Sequence, residues 1–296
     1  MRRTLAMLGV TGAVLLLLFL SFGLHRLMGT AEVVVNDDAA ASASASAAAL
    51  DSERAALLER VAAKRAELDQ MVGRIVPIPG GKFRMGDNDG NLNERPASEV
   101  KVAPFEIDEM EVSVAAYQMC VGAGQCTAPG TGPGCNWGQP DRRGHPINCV
   151  NWDQALAFCR WAAKRLPTEK EWEYAARGPK ATPYPWGDQT PDQQLCWRRG
   201  GGDGGPAQGT CPVSGLPGGE SVFGVKSMAG NVREWTAAAM CPYSRPTCKS
   251  NTLVMRGGAW TDTDPLSVRA ALRNSKPEDY RSETVGFRCA RDVLED

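Results

Sequence analysis

Ten cysteines constrain this chain more than any other feature, and every one lies at or beyond Cys120. An even number at short local spacings points to a disulfide framework made in an oxidising compartment; buried free thiols are the alternative. Proximity suggests Cys196 with Cys211 and Cys241 with Cys248, and leaves Cys120, Cys126, Cys135 and Cys149 to pair as neighbours. No Cys-x-x-Cys occurs, so the spacing argues against zinc. All eight tryptophans fall between Trp137 and Trp260, which places the packed core in that part of the 296 residues.

The N-terminal third reads differently. Met1-Arg2-Arg3 precedes an apolar run from Leu5 to Leu24. About twenty apolar residues can span a bilayer as a helix, whereas a signal-peptide core runs about 7–15. Residues 1–30 are therefore expected to be a membrane anchor, with a cleaved signal ending near Gly29-Thr30-Ala31 as the alternative. No cysteine lies near the run, which excludes a lipoprotein signal. Arg2 and Arg3 outweigh Arg26, so the rest of the chain should face the extracytoplasmic side, periplasmic or extracellular. That orientation agrees with the cysteines. A formal net charge of −1 gives no reason to expect nucleic acid as a partner.

Residues 31–50 are rich in Ala and Ser and read as a flexible linker. Residues 51–75 read as a stalk helix. Leu57, Val61, Leu68, Met71 and Ile75 recur at spacings that form one face, broken by Lys64. That face suits a solvated stalk, or a short coiled coil joining a homodimer. Residues 76–293 form the globular domain. Ile78 to Gly86 and Val100 to Val112 read as extended, and Cys126 to Pro146 as loop. Asn151 with Gln154 caps one helix, and Thr168 with Glu171 makes a capping box for a second, which Gly178-Pro179 stops. Two helices among many short strands indicate an α+β fold.

Several stretches then carry a family resemblance. They include Ile78 to Gly86, His145-Pro146-Ile147, the block from Lys164 to Gly178, Met228-Ala229-Gly230-Asn231-Val232-Arg233-Glu234-Trp235, Arg256-Gly257-Gly258 and Gly286-Phe287-Arg288-Cys289. In order and content they resemble the formylglycine-generating enzymes, or sulfatase-modifying factors. The resemblance implies a loop-rich, C-type-lectin-like α+β fold and a disulfide between Cys159 and Cys289. It also implies one calcium held at Ser227, Gly230, Val232 and Glu234, with Ser227 in place of the usual Asn or Asp; Glu234 pairing with Arg233 or Arg256 is the alternative.

The family's oxidases bind copper through two cysteines shortly after the Gly-Gly pair. Here Asp262 and Ser267 stand at those positions, and copper(I) prefers soft thiolates to hard oxygens. Copper is therefore not expected. Relatives that use iron need three histidines. This chain has two, and His25 is in or beside the anchor, so His145 alone cannot build that site; a serine hydrolase would need it as the base, but no Gly-x-Ser-x-Gly elbow is present and His145 reads as a turn residue before Pro146. Asp262 and Asp264 beside Pro265 read as turn formers more than as a metal pair. The Gly-rich stretch 200–209 lacks the Gly-Lys-Ser/Thr of a phosphate loop. The expected function is a membrane-anchored binding or scaffold module for a protein, glycan or cell-wall partner. The alternative is a divergent oxidase that converts a client cysteine to formylglycine.

Overall fold

The computed structural model describes residues 37–198 and 209–294. The apolar run from Leu5 to Leu24 and nearly all of the Gly-rich stretch lie outside them. Among the described residues no helix is long and apolar enough to cross a membrane.

Helix α1 runs over Asp37–Val72, so the expected flexible linker is helical from Asp37 onward. Alanine loses no side-chain entropy in a helix and has the highest helix propensity, which outweighs the serines between. The chain divides into two units, residues 1–58 and 59–296. Within the second unit, Val61, Arg65, Leu68 and Val72 form the inward stripe of α1, at spacings of four, three and four. The expected seam is split. Leu68 is buried, while Leu57 and Met71 are 59% and 44% exposed. Charge also decides how the helix seats: Asp69 accepts from Arg291 at 2.9 Å and lies 3.2 Å from the buried Lys164.

Among the described residues nine strands follow, in three small sheets. β1 (Ile75–Ile78), β4 (Phe105–Asp108) and β9 (Ala290–Asp292) form one antiparallel sheet, and β2 (Gly81–Met85) pairs with β3 (Ser98–Val102). The third has the order β7 (Asn274–Lys276), β6 (Leu253–Arg256), β5 (Arg233–Ala239), β8 (Val285–Gly286), with β5 and β8 parallel. Helix α2 (Val114–Gly122) is capped by Ser113 Oγ, which accepts from Ala116 N at 3.1 Å. α3 (Trp152–Trp161) and α4 (Glu169–Arg177) both start in capping boxes, at Asn151 and Thr168. The mixture of short strands and helices is α+β.

The core is wider than the tryptophan span. Trp172 and Trp235 are fully buried, but they pack in two clusters with residues from both ends of the domain. Tyr117, Phe158, Trp235 and Phe287 belong to one; Ile78, Phe83, Phe105, Ile107 and Trp172 to the other. Strands β1, β4 and β9 carry both termini of the domain inward, which composition alone does not reveal.

Five disulfides close: Cys120–Cys126, Cys135–Cys149, Cys159–Cys289, Cys196–Cys211 and Cys241–Cys248. No free cysteine remains. Cys159–Cys289 ties α3 to the turn before β9 across a separation of 130 residues.

Candidate functional site

Strand β5 organises the site. Successive side chains in a strand point to opposite faces, so Arg233 and Glu234 diverge. Arg233 reaches outward to the loop that follows β6, where its Nη2 donates to both carboxylate oxygens of Asp262, at 2.6 and 2.8 Å. Asp262 Oδ2 also accepts from Ala259 N at 2.8 Å. Gly257 and Gly258, both at positive φ, bring this loop in close. A Cβ on Gly258 would lie 2.8 Å from Ser267 O and 3.1 Å from Asp262 Oδ2, so the turn leaves room for glycine only.

Ser267 belongs to the 3-10 turn Pro265–Val268, which Asp264 caps by accepting from Leu266 N at 2.9 Å. Asp264 is thus a turn former, while Asp262 is an ion-pair partner. Around Asp262 stand the Cys196–Cys211 bridge, which packs with Trp260, and Arg198, whose guanidinium lies 5.2 Å from the Trp260 ring centre. Arg198 N also donates to Asp262 O at 3.0 Å. The surface at the family's copper positions is therefore built from a carboxylate, a hydroxyl, a guanidinium and an oxidised disulfide. That donor set does not fit copper(I), which needs soft thiolates.

Glu234 points the other way, into the core. Arg288 Nε donates to its Oε2 at 2.7 Å, Arg288 Nη2 to its Oε1 at 2.8 Å, and Trp172 Nε1 to Oε2 at 2.7 Å. Arg288 uses its other N–H groups on backbone carbonyls of Asp108, Glu109 and Lys226. Both side chains are fully buried. Arg288 thus gathers one carboxylate and three carbonyls, and its cationic form is favoured by Glu234 against the cost of burial.

The calcium ligand set of Ser227, Gly230, Val232 and Glu234 does not fit the ion here. Both Glu234 oxygens are committed, and a calcium ion would sit beside a buried guanidinium. The sequence alternatives of Arg233 and Arg256 are also corrected. Arg233 faces outward, and Arg256, opposite Glu234 in register, pairs instead with Glu169 and Glu173 on α4. Gly230 N donates to Gly257 O at 2.7 Å, so this turn braces the Gly-Gly loop. Among the described residues no group of three or more His, Cys, Asp or Glu side chains is arranged to hold a metal.

Two further residues lie close by. Glu111 is buried beside Asn231, Glu234 and Arg288. Desolvation raises its pKa well above the usual range, with Glu234 adding to the rise and Arg288 opposing it. His145 Nδ1 lies 2.9 Å from Thr210 Oγ1 and 3.3 Å from Arg142 Nη1; burial, then Arg142, lowers its pKa. Among the described residues no carboxylate hydrogen-bonds to its ring. Sequence reasoning missed Arg288 and Glu111. Each lies more than 50 residues from Glu234, and no local spacing ties such distant positions together.

A family model described as the sulfatase-modifying factor enzyme 1-like domain matches residues 60–293. The inactive C-alpha-formylglycine-generating enzyme 2 of Mus musculus is 32% identical over 267 residues, covering 73% of this chain and 85% of its own. The formylglycine-generating enzyme of Streptomyces coelicolor is 33% identical over 284 residues, covering 74% of this chain and 89% of its own. Among solved structures, PvdO from Pseudomonas aeruginosa aligns with a TM-score of 0.62 at 28% identity, over 74% of this chain and 94% of that one. With the domain matched nearly end to end, this chain belongs to the sulfatase-modifying factor family of formylglycine-generating-enzyme-like proteins.

Proposed function

We propose that this chain is a non-catalytic member of its family: a binding or scaffold module, anchored by its N-terminal segment, with the domain on the extracytoplasmic side. One observation carries the reading. The position where the family's oxidases hold a copper thiolate is taken by Asp262, locked to Arg233 and to Ala259 N. All ten cysteines are consumed in disulfides, so no thiol is left to replace the missing pair. The disulfides also favour an oxidising compartment. Relatives bearing both active and inactive names agree with a fold that outlives its chemistry.

The helix fits a stalk. Leu50 and Leu57, seven residues apart and both exposed, are where two such stalks would meet in a homodimer. The test of the main reading is direct. A Cys-x-Pro-x-Arg peptide is incubated under oxygen with the copper-treated protein, its disulfides intact, and analysed by mass spectrometry. The expected result is unchanged peptide and no stoichiometric copper(I). Aldehyde product over several turnovers would overturn the reading in favour of a divergent oxidase.

A further inference from the structure

A cavity of about 460 Å³ opens between helix α2 and the turn at Pro140–Arg142, lined by Trp137 among others. Its apolar walls are Val114, Pro140 and the Trp137 indole; Gln118, Gln139 and Arg143 supply its polar groups. The volume and the mixture, mostly apolar with a few polar groups, suit a small-molecule site. It is built on the loop expected from Cys126 to Pro146, well away in sequence from Asp262.

Two features separate this cavity from an ordinary surface dent. The first is how rigidly Trp137 is mounted. Asn136, the residue before it, is 4% exposed, and its backbone N donates to Asn148 Oδ1 at 2.7 Å. Its Nδ2 donates to Pro146 O at 2.8 Å and to Thr210 Oγ1 at 2.9 Å. Cys135, one residue further back, is bonded to Cys149. The indole also meets the Tyr117 ring edge-on, with centroids 6.0 Å apart. Trp137 is nonetheless only half-buried, so a ligand can reach it, and because its mount is already fixed, ordering it on binding costs little.

The second feature is charge. Arg143 is exposed, and its Nη1 donates at 2.8 Å to the neutral amide oxygen of Gln118. No carboxylate pairs with it among the described residues; the neighbouring Asp141 pairs with Arg142. A guanidinium offers a fork of donors that matches a carboxylate. A fixed indole offers a flat face to C–H groups, and flanking amides suit hydroxyls.

We propose that this cavity binds an acidic sugar: a pyranose stacked on Trp137, its hydroxyls at Gln118 and Gln139 and its carboxylate on Arg143. The proposal names a ligand class for the binding-module reading and rests on it. Indole, amides and an unpaired guanidinium meet in one site, and a neutral sugar or a planar aromatic acid would use only part of that set.

The experiment titrates the intact protein with trigalacturonate, with its methyl ester, and with benzoate, by calorimetry. The triacid should bind at least about tenfold more tightly than the ester. Arg143→Gln, on an exposed side chain, should remove that difference and leave the melting temperature unchanged. Trp137→Ala should weaken acid and ester alike by about tenfold or more, and Trp137→Phe should restore part of the loss. Equal affinity for acid and ester, binding indifferent to Trp137→Ala, or benzoate binding as tightly as the triacid would each overturn the proposal. The peptide-oxidation assay on the same preparation keeps the two readings apart. No sugar binding with unoxidised peptide sinks this site alone; aldehyde product with intact sugar binding sinks the non-catalytic reading alone.

Discussion

Arg233 and Glu234 are neighbours on one strand, and each ends in a guanidinium–carboxylate pair, yet the two pairs do different things. Glu234 with Arg288 lies in the core beside Trp172, without solvent, and every N–H of the guanidinium has an acceptor. Arg233 with Asp262 lies near the surface, with side chains 18% and 13% exposed. Depth separates them. In the core a charge can be tolerated only if its whole hydrogen-bonding capacity is met, so the deep pair fixes the fold. Near the surface water can replace a lost partner, so losing the outer pair costs less. The resemblance assigns the family's metal chemistry to both places; here Asp262 in one and Glu234 in the other each meet a guanidinium.

The deep region should give the largest losses. Cys289 follows Arg288 and pins it to α3 through Cys159. The chain-entropy model assigns that bridge about 5 kcal/mol and the short Cys241–Cys248 loop about 2.5 kcal/mol. Cys159→Ser should therefore unfold at a clearly lower denaturant midpoint than Cys248→Ser; equal midpoints would show that loop length is not what matters here. Arg288→Met strands Glu234 in the core and should cost about 3–5 kcal/mol. Asp262→Asn keeps an acceptor for Ala259 N but loses the charge opposite Arg233, and should cost about 1–2 kcal/mol in the same chemical denaturation. If Asp262→Asn proves as costly as Arg288→Met, the contrast between deep and shallow pairs is broken.

The smaller effects sharpen the comparison at its edges. His145 has a pKa held below the ordinary 6.5, first by burial and then by Arg142. Below pH about 6.5 the unfolded chain takes up a proton that the fold resists, so stability should fall as pH drops through that window towards the lowered value. His145→Gln should flatten this slope in melts run between pH 5 and pH 7; an unchanged slope would assign it to other groups. Calcium should have no effect at all. A melting temperature that rises with added calcium and falls with chelator would mean that Arg288 does not exclude the ion, and would return Glu234 to the ligand set.

Much of the fold was legible in short-range signals. Asn151 with Gln154 and Thr168 with Glu171 announced two helices, because a cap is made by residues three apart. The motif blocks announced the family. Helix α2 and the helical Ala/Ser stretch were not announced. The first is an apolar run whose period matches helix and buried strand alike, and the second has a composition shared by linkers and helices. At the site, the absence of cysteine at Asp262 and Ser267 was plain from order alone. Arg233 as the partner of Asp262 was not, because 29 residues and a sheet crossing lie between them.

The sequence by itself determined the family, the α+β class, the even set of cysteines and the loss of the thiolate pair, since each is a matter of residue identity and local spacing. Only the tertiary structure decided which cation each carboxylate meets, that Glu234 pairs with Arg288, that Glu111 is buried beside that pair and that Trp137 and Arg143 share a cavity. Those outcomes depend on distances between residues far apart in the chain. Such distances are set by how the three sheets and the helices pack, and a burial penalty exists only once packing has removed the water.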